Sequence, residues 1–572
     1  MKLALRIFAF IILLAFLLVS SQFLLVYVDE LKANERKVYL DTTAKQIVDG
    51  MTTPEKIGQV IHLAIPGKTL DETAISEMRT IRPGGIIHFG KNFGTKEEVI
   101  KLNRDLQDLA RKLKMPPLLI STDQEGGRVF RVRDGVAQFP GAMALGQTNQ
   151  EDLGYQVGFI TSYDLDQVGV NFLLAPSLDV NNNPNNPVIN TRSFGSDVDR
   201  VYNVAGAYER GARLGGAIPV IKHFPGHGDT DVDSHIGLPI IRKSLAELEK
   251  VELIPFQKSI QDGAPVVMSA HILFPKLDEK YPATLSKNIL QGILRDKLGF
   301  DGVVITDAME MHAISKNYQS DRPGVLALLA GADILLLTSW GETSASLYKT
   351  LLQAADKGDL EVDGVNILDR AVYRQIRLKL EYGIYTKNTF EPKIENENLL
   401  EYMALANQKR KETYQRLTAK PNFVDKITRQ TIRSYPSDFN GLSELEKNSS
   451  KAYLAQAFLA DAWKKSGGKL SSRKELPKDL KEASLKHIIA NVSDAKEFLF
   501  WDNLAQKHPE KEFILLYPHT PFVNLPNQSN VKVLLSFSLT ESSFRMLIES
   551  LTNKEKVPAM KLILKPRTVE IN

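Results

Sequence analysis

The densest cluster of titratable side chains lies in the nineteen residues Ile221–Pro239, IKHFPGHGDTDVDSHIGLP, with three of the ten histidines, one lysine and three aspartates. Four residues that break helices and strands interrupt this segment: Pro225, Gly226, Gly228 and Gly237. Neither a helix nor a strand is therefore expected to continue after His223. The pattern predicts a loop whose imidazoles and carboxylates could transfer protons or bind a metal ion.

Two other interpretations of this loop are open. A solvated polar loop is the common explanation for one histidine, but it fits three histidines in one loop less well. A zinc site would use His223 and His227, whose i, i+4 spacing brings two imidazoles together on a helix. Because Pro225 and Gly226 lie between them, that helix is not expected. We predict neither a metal nor a cofactor.

The letters KHFPGHGDT, followed by DSH, resemble the signature of the β-N-acetylglucosaminidase branch of glycoside hydrolase family 3. The resemblance implies a retaining exo-β-N-acetylglucosaminidase that uses a glycosyl-enzyme intermediate. Its substrates would carry terminal β-linked N-acetylglucosamine, in cell-wall (peptidoglycan) fragments or muropeptides or in chitooligosaccharides. The resemblance further implies that Asp307, in ITDAM, is the nucleophile and that Asp233 and His235 form an acid/base dyad.

Five more residues match sugar-binding positions of that family. They are Asp123 and Arg131 in DQEGGRVFR, Lys222 and His223, and Arg192 in NPVINTRSFG. Asn190 stands where the family usually has a glycine, a small departure close to Arg192.

The implied chemistry suits these residue types. A retaining glycosidase needs a carboxylate below the anomeric carbon and a proton donor beside the leaving oxygen, normally two carboxyl groups about 5–5.5 Å apart. In the variation implied here, Asp233 orients one ring nitrogen of His235, and the other nitrogen donates and later accepts the proton. An unperturbed imidazole pKa of about 6.5 suits both steps near neutral pH.

Eight short apolar runs precede or separate amphipathic stretches such as Lys96–Leu113, Leu245–Gln261 and Lys287–Leu298. The runs are Gly58–Ile65, Gly85–Phe89, Leu118–Ser121, Asn171–Ala175, Ala217–Ile221, Pro265–Ser269, Gly302–Thr306 and Asp333–Leu337. This alternation predicts an α/β fold, a TIM (β/α)8 barrel over residues 36–390. A doubly wound open sheet is the alternative.

Polar residues follow the carboxyl ends of four of these runs, at Asp123, Lys222–His223, His271 and Asp307. Barrel enzymes gather catalytic groups at that end of the strands. A single one of these residues could be a capping or core side chain. Their coincidence at one face predicts a site.

Residues 420–572 are predicted to form a smaller α/β sandwich domain, after a lysine- and asparagine-rich connection. The expected helices are Lys451–Lys465, Ala495–Gln506 and Glu541–Leu551, and the expected strands are Ile488–Val492, Glu512–Tyr517, Val531–Phe537 and Met560–Leu564. Since no cluster of titratable residues stands out there, a packing or partner-binding role is favoured.

The composition argues against several classes of protein and of site. The 572 residues carry a net charge of only +4 and no basic block, which argues against nucleic-acid binding. The absence of cysteine excludes disulfides, thiol catalysis and zinc–thiolate sites. We expect a monomer.

Residues 1–30 are predicted to be a signal peptide or an N-terminal membrane anchor. Lys2 and Arg6 precede the 22-residue segment Ile7–Val28, which is long enough as a helix to cross a hydrocarbon core of about 30 Å. The segment continues past any plausible cleavage point near Ser21, which favours the anchor. An extracytoplasmic enzyme, membrane-anchored or secreted, is expected.

Other functions remain open. Another family 3 β-glycosidase, such as a β-glucosidase, is one alternative, although those members lack the DSH tripeptide. A histidine acid/base could also permit phosphate as the acceptor, giving an N-acetylglucosaminide phosphorylase. A membrane-tethered glycan-binding protein without activity is the alternative from a different class, and the intact set Asp233, His235 and Asp307 argues against it.

Overall fold

The computed structural model describes residues 29–233, 237–318, 322–387, 390–435, 439–455, 457–518, 528–538, 540–552 and 556–560. The predicted membrane segment Ile7–Val28 and the predicted acid/base residue His235 lie outside these ranges. Within them, no helix combines the length and the apolar character needed to cross a membrane.

Eight parallel strands form the first sheet: β1 (Ile61–Ala64), β2 (Gly85–Ile87), β3 (Leu119–Thr122), β4 (Phe172–Leu173), β5 (Ile218–Phe224), β6 (Val266–Ser269), β7 (Val303–Thr306) and β8 (Leu335–Leu336). Their spatial order is β8-β1-β2-β3-β4-β5-β6-β7. Backbone hydrogen bonds from Thr306 N to Ile334 O (3.0 Å) and from Asp333 N to Val304 O (2.8 Å) join the two edges. The sheet therefore closes on itself, and the predicted TIM barrel is confirmed.

Every strand of this sheet overlaps a predicted apolar run, and the bounds differ most for two of the runs. The run Gly58–Ile65 begins inside the helix Thr53–Val60, because Thr52 and Glu55 form a capping box and Pro54 occupies the first turn. Strand β5 extends past Ile221 to Phe224. Lys222 and His223 thus lie in the strand itself, where the barrel holds their backbone.

Helices follow the strands and cover the outside of the barrel. An amino-terminal helix, residues 29–49, precedes the barrel. The other α-helices of this domain are Thr53–Val60, Glu72–Ile81, Lys96–Lys112, Ala142–Gly146, Glu151–Gln167, Val198–Val201, Ala207–Gly215, Leu245–Leu248, Leu253–Gln261, His312–Ser315, Pro323–Ala330, Glu342–Asp356, Ile367–Glu381 and Ile384–Lys387. Two further segments, Tyr202–Gly206 and Asn288–Lys297, are π-helical. The predicted helix Leu245–Gln261 is wrong as one element, because it is two helices separated by residues 249–252.

The barrel interior is packed and closed at the amino ends of the strands. Inward-facing residues such as Phe172, Val220 and Met268 form one buried cluster that continues to Ile384. The helix Ile367–Glu381 lies across this end, where Lys379 Nζ donates to the Gly84 carbonyl at 3.1 Å. The amino ends of the strands are therefore filled by side chains, and a site is expected at the carboxyl ends, as in other barrels.

The connection after the barrel differs from its prediction. The stretch expected to be a lysine- and asparagine-rich linker contains the 22-residue helix Glu397–Thr418, which is followed by the helix Phe423–Thr431. Only Leu399 of the longer helix is buried. Met403, Tyr414 and Leu417 are partly buried against the barrel core. Because exposed apolar residues such as Leu400 and Leu405 lie on another face, the hydrophobic periodicity gave no clear helix signal.

The second sheet has five strands: β9 (Arg433–Tyr435), β10 (Ser450–Tyr453), β11 (His487–Asn491), β12 (Glu512–Tyr517) and β13 (Val531–Leu535), in the order β9-β13-β12-β11-β10. All neighbours are parallel except β9 and β13. Its helices are Glu444–Asn448, Ala457–Lys465, Leu476–Asp479, Ala495–Lys507 and Glu541–Thr552. The predicted second α/β domain is confirmed.

One prediction for this domain is wrong, and one strand was missed. The expected helix Lys451–Lys465 begins only at Ala457, because residues 450–453 pair with β11 as a strand. Strand β9 was not predicted. The expected strand Met560–Leu564 lies, apart from Met560, outside the described residues.

The second domain packs on a loop of the barrel. Met143 and Ala144, from the barrel helix Ala142–Gly146, belong to the same buried cluster as Phe513 and Phe537. One guanidinium nitrogen of Arg433 donates to the Gln147 carbonyl at 2.7 Å. The domain therefore supports the loop that follows β3.

Candidate active site

A cavity of about 260 Å³ opens at the carboxyl ends of the barrel strands. All seven predicted site residues that the structure describes line it: Asp123, Arg131, Arg192, Lys222, His223, Asp233 and Asp307. The eighth, His235, lies outside the described residues. Side chains from positions separated by up to 184 residues (307 minus 123) thus meet at one place.

Four charged side chains form a buried array on one wall. Lys222 Nζ lies 2.7 Å from an oxygen of Asp123 and 2.7 Å from an oxygen of Glu125. Arg192 donates two hydrogen bonds to the two oxygens of Glu125, at 2.8 and 2.7 Å. The Lys222 side chain is only 1% exposed. Two cations and two anions compensate one another, which is what allows such charges to be buried.

The electrostatics of Glu125 follow from this geometry. Burial alone would raise the pKa of Glu125, but the charges and hydrogen bonds of Arg192 and Lys222 outweigh burial and hold the pKa well below its usual range. Glu125 is therefore ionised at all physiological pH values. It fixes the two cations in place while Asp123, which is more exposed, faces the cavity.

A second buried carboxylate organises the histidines. Asp179 accepts a bond from the His223 ring at Nδ1 (2.7 Å) and from the backbone N–H of His227 (2.7 Å). Burial would raise the pKa of Asp179, but His223 and His227 lower it to about 2. Since His223 Nδ1 is engaged, its Nε2 is the nitrogen that remains for a ligand in the cavity.

Asp307 lies just past the end of β7 and is partly exposed to the cavity. One carboxylate oxygen accepts the backbone N–H of Ala308 at 2.7 Å. Burial alone would raise the pKa of Asp307, but His271 and His223, with smaller effects from Ala308 N–H and Lys222, lower it. The carboxylate is therefore charged at neutral pH, as a nucleophile must be.

His271 supports Asp307 from below. Its Nδ1 lies 2.9 Å from Thr284 Oγ1 and its Nε2 lies 2.9 Å from the Ala308 carbonyl. Both ring nitrogens are thus used within the protein, and burial lowers the pKa of His271. His271 therefore positions residues 307–308 and does not bind substrate, since both of its ring nitrogens contact protein groups.

The loop that carries Asp233 is fixed at its base. Lys243 Nζ bridges Asp229 and Glu252 at 2.6 Å each. Gly228 is required there, since a Cβ at this position would lie 1.7 Å from the Val180 carbonyl oxygen. From this base the loop extends to Asp233, which lines the cavity and is half-buried.

Three residues that shape the site were not among the predicted ones: Glu125, Asp179 and Arg128. Glu125 and Arg128 lie in the DQEGGR stretch already quoted for Asp123. Arg128 lines the cavity, where burial and the charge of Arg192 lower its pKa and Glu125 and Asp233 oppose that shift in part. Asp179 follows the fourth apolar run after a short turn. The sequence therefore shows that Asp179 is an acidic residue near the end of a strand, but it does not show which residues Asp179 contacts.

The second domain reaches the neighbourhood of the site. Gly127 has a positive φ of 58°, and a Cβ on it would lie 2.8 Å from Gly141 Cα and 3.6 Å from Ser538 Oγ. Residues 127 and 538 thus pack closely, next to Arg128 on the cavity rim. Among the described residues, no group of three or more histidine, aspartate or glutamate side chains is arranged to hold a metal ion.

Comparisons with known proteins show what this chain is similar to. Residues 52–377 match the family described as Glycosyl hydrolase family 3 N terminal domain. The chain is 38% identical over 271 residues to Beta-hexosaminidase A of Pseudoalteromonas piscicida, covering 44% of this chain and 45% of that protein. It is 33% identical over 311 residues to a Beta-hexosaminidase of Nitrosomonas eutropha, covering 53% and 87%.

A solved structure is similar over nearly the whole chain. The glycoside hydrolase family 3 beta-N-acetylglucosaminidase from Paenibacillus sp. str. FPU-7 superposes with a TM-score of 0.76 at 29% identity. The superposition covers 91% of this chain and 100% of that one. The similarity therefore includes both domains.

Proposed function

This chain belongs to glycosyl hydrolase family 3, and we propose that it is a retaining exo-β-N-acetylglucosaminidase. The observation that carries the proposal is the ionised Asp307 in a cavity that is closed beneath by the packed barrel interior. At about 260 Å³ the cavity is smaller than the roughly 300–1,000 Å³ of pockets for drug-sized ligands. It suits one sugar ring, so a glycan enters by its terminal residue.

The charged array binds the hydroxyls of that residue. Asp123 accepts hydrogen bonds, while Lys222 and Arg192 donate them from positions held by Glu125. His223 offers Nε2, because Asp179 holds its Nδ1. These contacts orient the anomeric carbon towards Asp307, and such orientation converts binding energy into rate.

In the first chemical step, an oxygen of Asp307 attacks the anomeric carbon while the bond to the leaving oxygen breaks. His235, held by Asp233, gives its proton to that oxygen, so the aglycone departs as a neutral alcohol. In the second step His235 takes a proton from water, the hydroxide oxygen bonds to the anomeric carbon, and the Asp307 carboxylate is released. Two displacements on one carbon retain its configuration.

The substrate and the location are part of the same proposal. The substrates are cell-wall fragments or chitooligosaccharides with terminal N-acetylglucosamine, and the relatives named Beta-hexosaminidase support that class. The enzyme works outside the cytoplasm, held by Ile7–Val28 as a membrane anchor. The length of this apolar segment and its flanking charges support the location.

A panel of aryl β-glycosides, each assayed with and without phosphate, tests this function. We expect hydrolysis of the N-acetylglucosaminide and slow or undetectable hydrolysis of the glucoside and galactoside. A dominant glucosidase activity would reject the substrate class. Formation of a sugar 1-phosphate would reject water as the acceptor, and a folded protein that binds the glycoside without turnover would reject the enzyme.

A further inference from the structure

The helix Glu397–Thr418 is covered on one face only. Leu399 is buried, and Met403, Tyr414 and Leu417 are partly buried against the barrel core. On the other side, Leu400, Tyr402 and Leu405 are exposed. Six of the ten large apolar side chains that are exposed within the described ranges lie on or near this helix: Leu31, Val38, Leu214, Leu400, Tyr402 and Leu405. An apolar patch of this kind marks an interaction surface.

A cavity of about 580 Å³ runs between this helix and the barrel, and we name it the basal groove. Leu214, Tyr402 and Leu405 line it with exposed fractions of 53%, 50% and 49%. Leu214 lies just before β5 begins. The basal groove therefore opens at the amino ends of the strands, on the face opposite the active-site cavity.

The basal groove has an excess of positive charge. Four basic side chains line it, Arg213, Lys387, Lys409 and Arg410, against one acidic side chain, Glu381. Lys387 is paired with Asp166, and Arg213 lies 3.6 Å from an oxygen of Glu209. Glu381 is paired with Arg377. Arg410 is oriented by a hydrogen bond from its Nε to the Leu214 carbonyl at 3.2 Å. Lys409 is exposed, so its charge faces solvent beside the apolar side chains.

The amino-terminal helix, residues 29–49, leads directly to this surface. Asn398 donates to Glu35 at 2.7 Å, and the Arg36 guanidinium lies 4.5 Å from the centre of the Tyr402 ring. Leu31 and Val38 lie on the same face of their helix as Glu35, by their i, i+4 and i, i+7 spacing. The residues that immediately precede this helix are the predicted membrane segment Ile7–Val28.

We propose that the basal groove lies against the surface of a lipid bilayer that contains anionic headgroups. The proposal rests on the membrane anchor of the proposed function, because a helix that emerges from the bilayer at residue 29 brings this face to the membrane. Apolar and aromatic side chains enter the interface, and Lys409 and Arg410 meet the headgroups. The active-site cavity then opens away from the bilayer, towards glycans that are not embedded in it.

The absence of native cysteine allows a direct test in the full chain. In the variants Leu405→Cys and Leu214→Cys, the new cysteine is labelled with an environment-sensitive fluorophore in the basal groove. The control variant Phe500→Cys carries the same label at a comparably exposed apolar position of the second domain. The labelled proteins are reconstituted into vesicles of phosphatidylcholine with or without phosphatidylglycerol. Brominated lipids in the same vesicles quench only labels that touch the bilayer.

We expect the groove labels to shift to the blue and to be quenched several-fold more than the Phe500→Cys label. The effect should be strongest with phosphatidylglycerol and should weaken in Lys409→Glu. The proposal would be overturned if the groove labels were as exposed to water as the Phe500→Cys label. It would also be overturned if the full chain did not associate with vesicles. Protection without lipid would instead indicate a second copy of the chain. Turnover of an aryl glycoside is measured in the same samples, so that a failure of the proposed enzymatic activity is distinguished from a failure of the proposed bilayer contact.

Discussion

Replacing Glu125 by glutamine probes the buried charged array most sharply. The substitution keeps the side-chain shape and removes one negative charge. Glu125 accepts two hydrogen bonds from Arg192, at 2.8 and 2.7 Å, and contacts Lys222 at 2.7 Å. Glutamine keeps one oxygen that can accept, but its NH2 group cannot accept from these donors. At least one of the contacts to Arg192 and Lys222 is therefore lost, and Asp123 remains as the one carboxylate of the array.

The expected loss can be worked from these contacts. Hydrogen bonds to charged groups are worth about 1.5–3 kcal/mol each. If Arg192 and Lys222 each lose one such bond to the sugar, the transition state loses about 3–6 kcal/mol, which is a fall in kcat/KM of roughly 10²–10⁴-fold. Breaking a buried ion pair also destabilises the fold by about 3–5 kcal/mol. Glu125→Asp keeps the charge and should lose less kcat/KM and less folding stability.

Initial rates with an aryl β-N-acetylglucosaminide, together with circular dichroism of each variant, measure these effects. Glu209→Gln is the matched control, because Glu209 is equally buried but neither of its carboxylate oxygens makes a hydrogen bond within the described part of the chain. The control should retain kcat/KM within about twofold. A folded Glu125→Gln enzyme with near-normal kcat/KM would refute the role of the array in sugar binding.

Three further predictions concern other parts of the molecule. His235→Ala should slow hydrolysis of poor leaving groups by roughly 10²–10⁴-fold and affect activated aryl leaving groups much less; equal losses together with chelator sensitivity would favour a metal role instead. Burial raises the pKa of Glu209 from 4.5 to about 7, so the unfolded chain releases this proton at lower pH than the folded protein and stability falls as the pH rises. Denaturant titrations should therefore show that the unfolding free energy of Glu209→Gln, relative to wild type, increases by about 2–3 kcal/mol between pH 5 and 8. A difference between the two proteins that does not change with pH would contradict this. Truncation after Thr418 removes the partners of Met143, Ala144 and Gln147 and should give aggregation or lower kcat/KM; a soluble barrel with full turnover would show that the second domain is dispensable.

The sequence predicted the barrel well because its strands are buried on both faces and read as short apolar runs. It predicted the cavity residues because they follow those runs and because the KHFPGHGDT and DSH letters resemble a known family. It did not predict the partners of Lys222 and His223. Glu125 and Asp179 are 97 (222 minus 125) and 44 (223 minus 179) residues away from them, and only the closed sheet brings these groups together.

The missed elements have physical reasons as well. The helix Glu397–Thr418 has exposed apolar side chains as well as those that pack on the barrel, so its sequence shows no single apolar stripe. Strand β10 has the sequence SKAY, which shows no β-branched residue, and it is a strand because β11 provides the parallel partner. In both cases tertiary contacts, and not local propensity, decide the structure.

The covalent intermediate on Asp307 tests the central claim most directly. The enzyme is incubated with an activated, slowly turning 2-fluoro glycoside, quenched, digested and examined by mass spectrometry, with Asp307→Asn treated in parallel. We predict one glycosyl group on the peptide that contains Asp307, no label on Asp307→Asn, and retention of configuration in normal turnover. A label on any other residue, or an unlabelled enzyme that yields inverted product, would contradict the mechanism.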